Sequence, residues 1–427
     1  MSLRWFVPTF VLACGGSTTS APDAAPGDAP SLADAPPAVV DPCPPTPPAC
    51  PAPPASLTRG GGMRTIDRCA FPLAADDVLA TSHAAYIDAL PASLARVTLG
   101  DIAADDLNRT ATRITASELP GTAPGVRNAY RWDSGDMAVP YWYPQGVTGS
   151  FDGVVAGTVN GRKLVLVSWY YEQTADPGSA VDKGVRIAIV DVTNPAAVAY
   201  RFALLVEPTA DRSFRAVRSH AGGIAWIGDR LYVPMTTTGF RVFDLSRILR
   251  VDGLEDRIGR DGATGTYHAH GYRYAIPQLE TITSMGACAP RFSFVALDRT
   301  SMPASLITGE YDSASIAGRL YRWPLAADGS LQRTDRGRII AGGAWYAGES
   351  HVQGGLAHDG TIWLSSSQPA GGAGALYRTR VDTPSATLGW SDTPEDLAFD
   401  PQASSVWSLS EGLNARYLFE VALDAID

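Results

Sequence analysis

The chain has 427 residues, 45% of them hydrophobic and 18% charged, so it can bury a sizeable core. That length does not force two domains, since an all-β unit can run to roughly 250 residues or more. The formal net charge of −10 excludes a nucleic-acid partner, because phosphate contacts need a basic surface. No apolar run reaches the ~20 residues that cross a bilayer.

The first elements read as an export signal. Arg4 supplies a positive charge and Trp5 to Ala13 a short apolar core. Val11-Leu12-Ala13-Cys14 resembles the lipobox of bacterial lipoprotein signals. The resemblance implies cleavage after residue 13, acylation of Cys14 and a lipid anchor as the only membrane contact. Gly15 resembles outer-membrane sorting, so the expected location is the outer membrane or cell surface. Residues 14–58 are rich in Pro, Ala, Asp and Ser and cannot bury a core, which predicts a disordered tether. The remaining cysteines are even in number, as suits an oxidising compartment. Cys43 with Cys50 is expected to close a small loop in the tether, and Cys69 with Cys288 to tie the start of the domain to its middle.

Residues 59–125 form a partly helical segment expected to pack on the main domain, with helical composition from Asp76 to Leu94 interrupted by Pro91. Residues 126–427 are strand-like, with short Val, Ile, Tyr, Trp and Phe runs split by Gly, Asp and Asn turns. An internal repeat organises them. Ser219-His220-Ala221-Gly222-Gly223-Ile224-Ala225-Trp226 superposes on Ser350-His351-Val352-Gln353-Gly354-Gly355-Leu356-Ala357 without a gap. Further copies open at Tyr143-Pro144-Gln145, at Thr393-Pro394-Glu395 and, more weakly, at Ile276-Pro277-Gln278. The fold class is therefore all-β: a β-propeller of five four-stranded blades, preceded by a short helical segment. The last copy lacks room for a fourth strand, and Val126 to Trp132 is the expected substitute. The alternatives are a sixth, degenerate blade within residues 94–140, or an irregular β-sandwich.

Trp142-Tyr143-Pro144-Gln145-Gly146, Val167-Ser168-Trp169-Tyr170, His220 to Trp226, Gly239 to Leu245 and Gly309-Glu310-Tyr311 together resemble a group of secreted β-propeller proteins of actinobacteria and related soil bacteria. The resemblance spans residues 100–425 and implies architecture and compartment, with no chemistry attached.

Residues at one repeat position of a propeller converge on its axis. That column reads Gln145, Gly222, Gln278, Gln353 and Glu395; two residues earlier it reads Tyr143, His220, Ile276, His351 and Thr393. Amides and a carboxylate on one axis suit a hard cation such as Ca²⁺, with Gln145, Gln278, Gln353 and Glu395 as ligands. They equally suit ordered water that only satisfies strand ends. His268 and His270 flank Ala269, so on a strand both would share a face and could bind a ligand; an exposed loop explains them as well. Trp142 offers an aromatic face to a sugar, or packs between blades.

Two functions follow. The first is a binding module, expected monomeric, for an extracellular glycan or small polar ligand; a purely structural scaffold is its bland form. The second is a lyase on uronate glycans, with His220 or His351 as base, Tyr143 as acid and Arg218 neutralising the uronate. A hydrolase would need two opposed carboxyls, and only Glu395 and Asp396, with Glu349 nearby, stand at blade entries.

Overall fold

The computed structural model describes residues 39–179, 182–367 and 373–427. The signal, Cys14 and the tether up to residue 38 lie outside the described residues. Among the described residues no helix is long and apolar enough to cross a membrane.

The protein is built mostly of β-strands, gathered into five antiparallel units of four strands. The first holds Trp142–Gly149, Leu164–Tyr171, Val185–Asp191 and Val198–Thr209. The second holds Ala225–Ile227, Arg230–Met235, Gly239–Asp244 and Tyr274–Ser284. The third holds Phe292–Asp298, Ser305–Glu310, Arg319–Pro324 and Gly343–Tyr346. The fourth holds Val352–His358, Thr361–Ser366, Ala373–Arg380 and Thr383–Asp392. The fifth holds Pro394–Asp400, Ser405–Gly412 and Ala415–Ala422, and its fourth strand comes from before the first unit: Val126–Arg131 runs antiparallel to Ala415–Ala422, with Tyr130 opposite Leu418.

Burial explains the sequence pattern. Leu164–Tyr171 and Val185–Asp191 are covered on both faces, so their apolar residues run on without alternation. Thr383–Asp392, a fourth strand, is largely exposed and correspondingly polar. The first strands touch in cyclic order, unit one to two, three, four, five and back to one. Glycine makes this approach feasible. A Cβ on Gly146 would stand 2.6 Å from the Gly223 carbonyl carbon, and one on Gly354 2.4 Å from the Asp396 Cα.

A second regularity sits at the start of these strands. The first-to-second strand pairing slips between Pro144 and Val147, between Phe292 and Phe294, between Val352 and Gly354, and between Pro394 and Leu397. Each slip is a β-bulge, which takes Gln145, Ser293, Gln353 and Glu395 out of ordinary strand alternation and re-aims their side chains. At the first bulge Ser168 Oγ accepts from Gly146 N at 2.8 Å and donates to Ala221 O at 2.8 Å, tying units one and two.

The register corrects the weakest repeat copy. Ile276-Pro277-Gln278 belongs to the fourth strand of unit two, and Gln278 lies opposite Phe243. Residues 245–273 make a long excursion before that strand and include the hairpin Ile258–Arg260 with Tyr267–Ala269. The strand therefore arrives in the chain where a new entry was expected. Unit three instead opens at Arg291-Phe292-Ser293. Residues 94–140 form no unit of their own. Arg109–Ile114 joins Val126–Arg131 and Val198–Thr209, bridging units five and one.

Two expectations about the N-terminal part fail. The tether expected through residue 58 is docked from residue 39 onward. Arg338 Nε donates to Asp41 Oδ2 at 2.7 Å, Asp41 is only 6% exposed, and Tyr346 Oη donates to Pro51 O at 2.6 Å. The disulfides are Cys43–Cys69 and Cys50–Cys288, with Cα separations of 5.4 and 5.2 Å. Cys43 and Cys50 bracket Pro44-Pro45-Thr46-Pro47-Pro48-Ala49. At about 3.1 Å per residue such a run extends well beyond the ~7 Å a disulfide can bridge. Asp77–Asp88 is helical, capped by Asp76, whose side chain accepts from Leu79 N at 2.9 Å, and it ends before Pro91.

Candidate functional site

The bulged strand starts surround a cavity of about 390 Å³ lined by Gln145, Tyr170, His220, Arg291, Gln353 and Glu411, with Ser293, Thr236 and Tyr311 completing the wall. Every unit contributes. First strands supply Gln145, Ser293 and Gln353, and the approaches to units two and three supply His220 and Arg291. Second strands and the residues just beyond them supply Tyr170, Thr236, Tyr311 and Glu411.

Two carboxyls meet the amides of the lining: Glu411, itself part of it, and the buried Glu395. Gln145 Nε2 donates to Glu411 Oε2 at 2.7 Å, and Gln353 Nε2 donates to Glu395 Oε1 at 3.2 Å. Burial pushes Glu395 well above the usual carboxylate range, and repulsion from Glu411 and Asp396 adds to the rise. Burial also raises Glu411, against the Gln145 bond and the charge of Arg416. One residue further along the axis, Asp396 Oδ2 accepts from Val147 N at 3.2 Å and from Ile224 N at 3.4 Å, joining unit five to units one and two. Its other oxygen is buried without a hydrogen-bond partner, and burial raises its carboxyl well above normal.

The wall is aromatic and basic. The Tyr143 ring stacks on Tyr170 with centroids 5.5 Å apart, and Tyr170 stands 4.3 Å from the His220 ring. Burial lowers His220 below the ordinary histidine value, so the imidazole is neutral at pH 7 and able to accept a proton or a hydrogen bond. Burial raises the Tyr170 phenol, which stays protonated as a donor. Arg291 is exposed at the rim, and its guanidinium has no hydrogen bond or ion pair among the described residues. His351 adopts a φ of +57°; its Nδ1 lies 3.1 Å from Ser350 Oγ, and its ring is edge-on to Tyr311 at 5.9 Å.

Several expected residues lie elsewhere. Gln278 bonds to Arg241 and to Thr281 and takes no part in the cavity, because its strand is the outermost of unit two. Arg218 lines a separate groove of about 890 Å³ and pairs with Asp182 at 3.1 Å. With Arg218 outside, the lyase set of base, acid and guanidinium does not assemble. His268 is buried on Tyr267–Ala269, whereas His270 follows the strand end at a φ of +53° and pairs with Asp256. The turn ends the alternation that would have put both histidines on one face. Trp142 is 3% exposed, with the Arg186 guanidinium 4.5 Å from its ring centre, so it is core and not a sugar platform.

Arg291, Ser293, Tyr170, Tyr311 and Glu411 were missed. With unit three opened at Arg291, the two columns read Gln145, Gly222, Ser293, Gln353, Glu395 and Tyr143, His220, Arg291, His351, Thr393. Tyr143 faces Tyr170 across the ladder, and the Glu411 N–H donates to Thr393 O. A third column on the second strands, Tyr170, Tyr311 and Glu411, was thus available to the same alignment.

No family model matches the chain, and no curated protein matches it. Among solved structures it is similar to the β-propeller domain of Cps50 (Swd1) from Myceliophteria thermophila, at 10% identity over 70% of this chain and 100% of that one, with a TM-score of 0.33. A glucose dehydrogenase matches at 11% identity over 76% of this chain and 99% of that one, TM-score 0.33. A gluconolactonase from Xanthomonas campestris matches at 12% identity over 74% of this chain and 95% of that one, TM-score 0.32. Superposition this loose transfers no chemistry from those proteins to this chain.

Proposed function

We propose that the five units are the blades of a closed five-bladed propeller, exported and held at the cell surface by a lipidated Cys14, whose axial cavity binds a polar ligand of carbohydrate chemistry. One observation carries the binding reading: all five units place a residue of the bulge columns, or the strand partner of one, into a single cavity. Cyclic contact between first strands, and the pairing of Val126–Arg131 with Ala415–Ala422, support closure. Two disulfides support an oxidising compartment.

The cavity suits a saccharide. Gln145 and Gln353 amides, the Tyr170 and Tyr311 phenols, Ser293 and the neutral His220 offer donors and acceptors to hydroxyls, and the tyrosine rings offer apolar faces. Arg291, free at the rim, favours a sugar carrying a carboxylate.

Titration calorimetry of the full chain against neutral and uronate oligosaccharides tests this. Binding of at least one class is expected, weakened about tenfold, or about 1.4 kcal/mol, by Tyr311→Ala. Arg291→Ala should weaken uronates selectively. Absence of binding across both classes, or binding indifferent to both substitutions, overturns the reading.

A further inference from the structure

The axial cavity meets more negative charge than its surroundings answer. Glu395 is 1% exposed and accepts from Gln353 of the lining, and Glu411 is itself part of the lining. Among the described residues neither forms an ion pair; their side-chain partners are the two amides, Gln353 and Gln145. The cation that acts on Glu411 is Arg416, and its guanidinium donates to the carbonyl oxygens of Glu411, Asp136 and Val139 instead of to a carboxylate. Burying charges without a counter-charge costs several kcal/mol apiece, so this pair calls for protons or for a cation.

A second observation points to a cation. Gln145 is 1% exposed, and its Oε1 has no hydrogen-bond partner although its Nε2 is committed to Glu411. That buried, unpaired amide oxygen beside Glu411 is a free ligand for a cation placed between them. The available donors are carboxylate and amide oxygens carried on strands of three different units, with no thiolate. Such a set is hard and not octahedral by construction, which suits Ca²⁺ at ~2.3–2.6 Å better than Mg²⁺.

We propose that Glu395 and Glu411, with the amide oxygens of Gln145 and Gln353, hold a Ca²⁺ ion at the axial cavity. Compared with the expectation from sequence, Glu411 replaces Gln278, and the site needs no residue of unit two. Remaining coordination positions face the cavity and are filled by water or by ligand hydroxyls. The ion therefore stands whether or not the ligand is a saccharide.

The test uses the full chain stripped with EDTA, with CaCl₂ and MgCl₂ as the probes, read by calorimetry and by thermal unfolding. One Ca²⁺ per chain is expected, bound at least tenfold tighter than Mg²⁺, with a rise in Tm. Glu411→Gln and Glu395→Gln each keep the side-chain shape and remove a charge; each should weaken Ca²⁺ at least tenfold, while Asp328→Asn on the exposed surface should leave it unchanged. Gln353→Met, which removes an amide oxygen at the cavity wall, gives a second route should a glutamate variant not fold, and is expected to weaken Ca²⁺ severalfold. The proposal is overturned by no heat and no Tm change with Ca²⁺, or by Ca²⁺ binding that all of these cavity variants leave intact. Saccharide binding measured with Ca²⁺ and again in EDTA separates the two readings, since either can fail with the other standing.

Discussion

The two ends of the axis treat buried acid in opposite ways. Where the first strands finish, three buried carboxylates meet cations: Asp152 pairs with Arg299 at 2.8 Å, Asp298 with Arg322 at 2.9 Å, and Asp400 with Lys163. Where those strands begin, Glu395 and Glu411 meet amides only. Arg299 opposes the burial-driven rise of Asp152, which stands at about 6, while Glu395 lacks any such partner and burial raises it well above the usual carboxylate range. At the far end buried charge is compensated, between units one and three, within unit three and between units five and one, and uncompensated charge at the near end marks the place where something else must bind.

Substitutions along the axis should break or sharpen that contrast. Asp396 stands between the two ends and is the hinge of the comparison. Asp396→Ala leaves the Val147 and Ile224 N–H groups buried without an acceptor, and a loss of roughly 3 kcal/mol is expected from urea unfolding; a loss below about 0.5 kcal/mol would mean that Asp396 ties no units together. Arg299→Met strands Asp152 without its partner. Breaking a buried pair costs about 3–5 kcal/mol, and because Arg299 is 30% exposed the expected loss is smaller, about 2 kcal/mol.

The pH dependence follows next in size. The folded value of Asp152, about 6, stands above its unfolded value, so the folded state binds the proton more tightly. That stabilisation is complete below about pH 4. It is lost as the pH rises through about 6. Asp152→Asn should remove this part of the decline across that window, and an unchanged slope in denaturation measured over a pH series would contradict it. The smallest effect is expected at the near end. Glu411→Gln in EDTA should leave stability unchanged or raise it by about 1 kcal/mol, since no cation partner is lost. A large loss there would erase the distinction between the ends.

The entries at Tyr143, His220, His351 and Thr393 were legible because an entry, an apolar strand, a turn and a second strand recur in register, a local feature of the chain. The same alignment went out of phase at Gln278, because the excursion over residues 245–273 delays the fourth strand of unit two until it occupies the expected place of an entry. Arg291 and Ser293 were lost with it. Glu411 was hidden for another reason: it sits on a second strand beside Thr393, where the columns of the first strands do not read.

By itself the sequence determined the strand-rich class, the repeat and part of the cavity lining, Gln145, His220 and Gln353, since alternation and turns are written in neighbouring residues. Only the tertiary structure decided which cysteines join, where the tether docks, that Arg218 faces a different groove, and that two carboxyls meet the amides of one cavity. Each of these depends on groups far apart in the chain, such as Cys50 and Cys288 or Gln145 and Glu411. Their approach is set by how five units pack around an axis, and no local pattern encodes that distance.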